Sequence, residues 1–86
     1  MRNLQKYEIA VLQYSNTQFV QTFCNSITFY NVGTSTLLIE QSIPLANGQT
    51  FTITGNDNEI CVKQILVTFS GEGTNNAVII KKFYID

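Results

Sequence analysis

Eighty-six residues with five Lys/Arg, six Asp/Glu, no His, no Trp and two Cys form one small domain, 1–86, because chains divide into domains only at several times this length. A net charge of −1 with 13% charged residues leaves no cluster of cations to neutralise phosphates, which excludes a nucleic-acid partner, and no apolar run reaches the ~18 residues of a membrane span. Without His the commonest acid–base group near neutral pH is missing, so no nucleophile or acid–base pattern is complete and the chain reads as a non-enzyme without a cofactor.

Ile, Val and Thr supply 26 residues, Phe and Tyr ten more, and Ala only three. Such side chains fit a pleated, half-buried surface, whereas helices draw on Ala, Leu, Glu and Lys. The first 23 residues are ambiguous: Tyr7, Ile9 and Val11 alternate as in a strand, while Leu4, Tyr7, Val11 and Tyr14 also keep helical spacing. The strand is preferred, and Thr17 to Phe23 forms a second one. Asn25 to Tyr30 alternates around Ile27 and Phe29 and stops at Asn31-Val32-Gly33-Thr34-Ser35, where Gly takes a positive φ at no steric cost. Thr36 to Glu40 returns with Leu37 and Ile39 inward, so the pair reads as a hairpin.

Ile43-Pro44-Leu45 is an edge crossing or an arch to another sheet, since Pro has no N–H for a ladder. Gln49 to Thr54 has period two, with Phe51 and Ile53 opposite three Thr, between the turn sequences Asn47-Gly48 and Gly55-Asn56-Asp57-Asn58. Glu59 to Phe69 changes phase between Ile60 and Val62 and the later set Ile65, Val67 and Phe69. That predicts a bulge or break near Lys63. Ser70 to Asn76 is a turn. Ala77 to Ile85 closes the chain and stays apolar almost to its end, as a strand held in a sheet of its own subunit or of a neighbour. Lys81 and Lys82 read as guards against edge-to-edge pairing. Together these elements predict an all-β fold: a small antiparallel β-sandwich or barrel of six to eight short strands with Greek-key-like connections.

The carboxylates are scattered singly. Only Gly55 to Glu59 is densely polar, and there Asp57 and Glu59 are candidate oxygen ligands for Ca²⁺. The acidic residue that ends a calcium loop is missing, so an Asx turn is the preferred reading and no metal is expected. Phe29, Phe51 and Phe69 fall on inward phases. Tyr14, Tyr30 and Tyr84 fall on the other phase or near strand ends, and with Ile85 in the apolar terminus they form the candidate protein interface. Asn, Gln, Ser and Thr total 31 residues. A neutral surface of this kind packs against copies of itself without costly charge desolvation.

Domains this small need reinforcement. Cys24 and Cys61 could form a disulfide, but the amino terminus lacks the apolar core of a secretion signal, so reduced, buried thiols are the preferred reading and the bridge the alternative. Oligomerisation is the expected reinforcement.

The stretch Ile27 to Ile39 with its Asn31-Val32-Gly33-Thr34 turn, followed by Leu45-Ala46-Asn47-Gly48-Gln49 and the strand to Ile53, resembles small immunoglobulin-like and jelly-roll-like β-sandwich proteins of bacteriophage particles. The resemblance covers residues 27 to about 69 and is one of composition and hairpin style. It implies a virion structural component, such as a capsid decoration, fibre base, connector or tail subunit, made in a host cytoplasm. Its partners would be itself and other virion proteins, and no catalytic motif carries over. The alternative is a carbohydrate-binding module or host-attachment protein that uses Tyr side chains and Asn-rich loops.

Overall fold

The computed structural model describes residues 6–55 and 59–85. Eight strands follow in chain order: β1 (Lys6–Tyr14), β2 (Gln18–Gln21), β3 (Ser26–Asn31), β4 (Leu37–Ile39), β5 (Ile43–Leu45), β6 (Thr50–Ile53), β7 (Gln64–Phe69) and β8 (Ala77–Ile85). Among the described residues there is no helix. The helical spacing of the first segment therefore loses to its alternation.

The strands form two four-stranded antiparallel sheets, ordered β1-β8-β3-β6 and β2-β7-β4-β5. Neither sheet closes on itself, so the barrel alternative does not hold. One buried cluster draws on both sheets: Ile27, Phe29, Ala77 and Ile79 from the first, and Val20, Leu37, Ile39, Leu45, Ile65 and Val67 from the second. Each large side chain buried in this way stabilises the fold by about 1.5–3 kcal/mol. The ring of Phe51 stacks on that of Phe29, with centroids 6.5 Å apart, and extends the cluster along β6.

Several expectations meet the structure in an altered form. The segments around Ile27 and Leu37 do not pair: β3 and β4 belong to different sheets. Asn31 is responsible. Its buried side chain bonds the Gly33 N–H and the Ser35 and Leu45 carbonyls, which turns the chain out of the first sheet. Gly33 is needed there for close approach and not for a positive φ, because a Cβ would lie 2.7 Å from the Asn76 nitrogen. The actual hairpin is β4–β5, with Leu38 opposite Pro44. Pro44 thus sits on an edge strand, where a missing N–H costs no ladder bond.

The break near Lys63 is present. Residues 59–63 lie outside β7, joined to the rest by an isolated bridge at Cys61. The closing strand is clamped inside its own subunit, between β1 and β3. Lys81 and Lys82 are therefore not edge guards, since β8 is an internal strand.

Candidate functional site

In an antiparallel ladder, directly opposite residues project from the same face. With Ile27, Phe29, Ala77 and Ile79 turned to the core, the other phase of the first sheet faces outward. The register then lays out rows on that face: Tyr7 beside Tyr84; Ile9, Lys82 and Ser26; Val11, Ile80, Thr28 and Thr52; Gln13, Val78, Tyr30 and Thr50. The face divides into two halves. Over β3 and β6 it is mostly hydroxyls, with Thr28 and Thr52 hydrogen-bonded at 3.0 Å. Over β1 and β8 it is apolar.

Tyr7, Ile9 and Val11 are 54%, 56% and 63% exposed, and Val78 and Ile80 stand half-buried beside them. Three successive outward side chains of one strand are thus large, apolar and uncovered. A contiguous patch of this kind marks an interaction surface, whereas apolar residues scattered singly do not. Its far end is capped by a cation: Lys82 Nζ stands 4.6 Å from the Tyr7 ring centroid and 4.8 Å from that of Tyr84. The two rings meet edge to face, 6.5 Å apart. Lys82 supplies a charge on the rim while the ring faces hold it in place.

The same strand is an edge. β1 pairs with β8 on one side, and among the described residues no strand pairs with the other. An unpaired row of backbone donors and acceptors is a template for a strand of another chain. Here it borders the apolar half of the face directly.

The predicted interface residues separate. Tyr30 and Tyr84 lie on this outer face. Tyr14 lies in the opposite phase, half-buried against the core. Ile85 lies in β8 opposite Lys6. Of the candidate cation ligands, Asp57 falls outside the described residues, and Glu59 is exposed with its backbone carbonyl accepting from Asn25 Nδ2. Among the described residues no three His, Cys, Asp or Glu side chains cluster to hold a metal.

Sequence reasoning misses Ile9, Val11, Val78 and Ile80 as surface residues. β8 carries apolar side chains in both phases, so one of them has to face outward, but β1 alternates Tyr7, Ile9 and Val11 with Lys6, Glu8 and Ala10, a pattern that by itself points the stripe inward.

Beside Tyr14 runs a shallow polar cleft, lined by Gln13, Tyr14, Ser15, Thr74, Asn75 and Asn76. Gln13 Nε2 donates to Asn76 Oδ1 at 2.7 Å. Asn75 Oδ1 is buried and accepts no hydrogen bond.

No family model matches this chain, and neither does any curated protein or any solved structure.

Proposed function

We infer that this protein is a non-enzymatic structural component of a bacteriophage virion, working by assembly with copies of itself and with other virion proteins. The observation that carries the assembly reading is the uncovered stripe Tyr7, Ile9 and Val11 on an edge strand. A second copy is the occupant the stripe fits best. Two β1 strands paired antiparallel about a two-fold axis bring the stripes side by side and join two four-stranded sheets into one. Such an isologous contact is the commonest closed arrangement of identical chains. The chain's near-zero net charge opposes it little.

The virion setting rests on the resemblance of residues 27 to 69 and on fold analogy. The orders β1-β8-β3-β6 and β2-β7-β4-β5 are those expected if the two sheets pack as a Greek-key jelly roll. That architecture serves viral capsids and also lectins. Fold does not decide between such uses.

A glycan-binding reading has one observation in its favour. The cleft at Tyr14 brings an aromatic ring together with the amide side chains of Gln13 and Asn76, which suits the hydroxyls of a sugar.

Size-exclusion chromatography with light scattering, followed by a glycan array, separates the two. Dimers or higher closed multiples that collapse to monomers in the Ile9→Lys/Val11→Lys variant support assembly. A stable wild-type monomer that binds glycans overturns it.

A further inference from the structure

Cys24 and Cys61 stand directly opposite one another in an antiparallel bridge outside the named strands. The Cys61 N–H donates to the Cys24 carbonyl at 2.9 Å. A hydrogen-bonded opposite pair sets its Cα atoms about 5.5 Å apart with both side chains on one face. Disulfides span Cα separations of about 4.4–6.8 Å.

The surrounding bonds hold this register. Thr22 N–H donates to the Lys63 carbonyl at 2.9 Å, and the buried Thr22 hydroxyl donates to the Cys61 carbonyl at 2.7 Å and accepts from the Lys63 N–H at 2.8 Å. Any slip that parted the cysteines would break all of these. Both thiols are free. Cys24 is fully buried, whereas Cys61 is half-buried between Ile60 and Val62, which are 62% and 68% exposed. Burial pushes the Cys24 thiol up; Lys81 partly offsets this, and the neighbouring Cys61 adds to it.

We propose that Cys24 and Cys61 are a reversible dithiol–disulfide pair, oxidised by a low-molecular-weight disulfide. Cys61 is the accessible partner and reacts first. Its thiolate attacks one sulfur of the small disulfide, forming a mixed disulfide and releasing one small thiol. The Cys24 thiolate then attacks the Cys61 sulfur, forming the Cys24–Cys61 bond and releasing the second small thiol. Two electrons and two protons pass from the protein to the small disulfide.

Cβ atoms in a hydrogen-bonded pair lie toward the far end of about 4.5–5.5 Å, while a disulfide holds them at about 3.5–4.5 Å. Closure therefore draws the two segments together by about 1 Å, and a bond formed under that constraint is readily reduced. Once formed, it ties the β2–β3 connection to the β6–β7 connection and closes a loop that contains β3 to β6.

The test uses the reduced full chain incubated with excess glutathione disulfide. Both thiols should become unreactive to alkylation after denaturation, with a mass loss of about 2 Da. Cleavage after Glu40 and Glu59 puts the cysteines on separate peptides, so a bridge appears as one linked pair that dithiothreitol separates. The oxidised chain should melt about 10 °C above the reduced one. Cys61→Ser should show no such rise. A glutathione adduct on Cys61 with Cys24 still alkylatable, linkage between two chains, or two unchanged thiols would each overturn the proposal. Peptide mapping of the wild type decides the matter even if the variant fails to fold.

Discussion

Asn31 is fully buried, and its amide donates to the Ser35 and Leu45 carbonyls at 2.8 Å each while its Oδ1 accepts the Gly33 N–H at 3.0 Å. One side chain thus ties together three backbone groups from separate segments, although the Gly33 N–H also donates to the Asn76 carbonyl at 3.0 Å. Removing it takes a partner from the two carbonyls, at about 1–3 kcal/mol for each group left buried and unpaired. Asn31→Ala should lower stability by about 2–4 kcal/mol in urea unfolding; a loss within about 0.5 kcal/mol would mean that the three bonds carry nothing. Glu40 makes a different kind of contact, on the surface. Its carboxylate lies 3.0 Å from Lys63 Nζ and accepts the Leu66 N–H at 3.4 Å. The hydrogen bond from Lys63, then that from Leu66, holds its pKa below the usual carboxylate range. A depressed folded pKa means that the stabilisation is present above the unfolded value near ~4.3 and is lost as pH falls through the folded one. The melting temperature should therefore fall more steeply on acidification below about pH 4.5 in the wild type than in Glu40→Gln. Parallel curves for the two proteins would remove that role, and added salt should shrink the difference.

Glu40 and Gln41 matter again at the scale of the element. They have φ values of 54° and 58°, and the Ser42 N–H closes a turn onto the Ile39 carbonyl at 3.0 Å. Two central residues at positive φ are the mark of a type I′ hairpin turn, normally made by Asn-Gly. Neither residue here has that chemistry, so the β4–β5 hairpin left no trace in the turn residues. The glycine-bearing stretch at Asn31 to Ser35 drew the hairpin expectation instead, although it serves to cross between sheets. Strand existence was legible nearly everywhere, because alternation at Ile27/Phe29, Phe51/Ile53 and Ile65/Val67 matches what is buried or half-buried. Pairing was not legible, since β3 finds β8 from the far end of the chain and no local residue encodes that choice. Gln41→Gly should relieve the turn and stabilise the fold by about 1 kcal/mol. A destabilised Gln41→Gly would show that the Gln41 side chain contributes more than its backbone strain costs.

For the whole molecule, two sheets around one buried cluster leave a face with an apolar half and a hydroxyl half. The division follows from one arrangement: β8 carries apolar side chains in both phases, and β1 follows its register, so that Leu12 and Tyr14 pack against the core while Tyr7, Ile9 and Val11 face outward. Tyr30 and Tyr84 could be read as surface residues from their phase, but the stripe on β1 could not, because its alternation with Lys6 and Glu8 points it toward the interior. An assembly held through that stripe and the β1 edge would be driven by apolar burial and backbone pairing, so its mass should change little with added salt. Amide hydrogen exchange tests the central claim most directly. On going from dilute monomer to concentrated assembly, the edge-facing amides of Tyr7 to Gln13 should slow by at least about tenfold, as unpaired donors gain partners in a second chain, while those of β5 and β6 keep their rates. Assembly that leaves β1 exchanging freely, or that protects the β2 or β5 edge instead, would contradict the account.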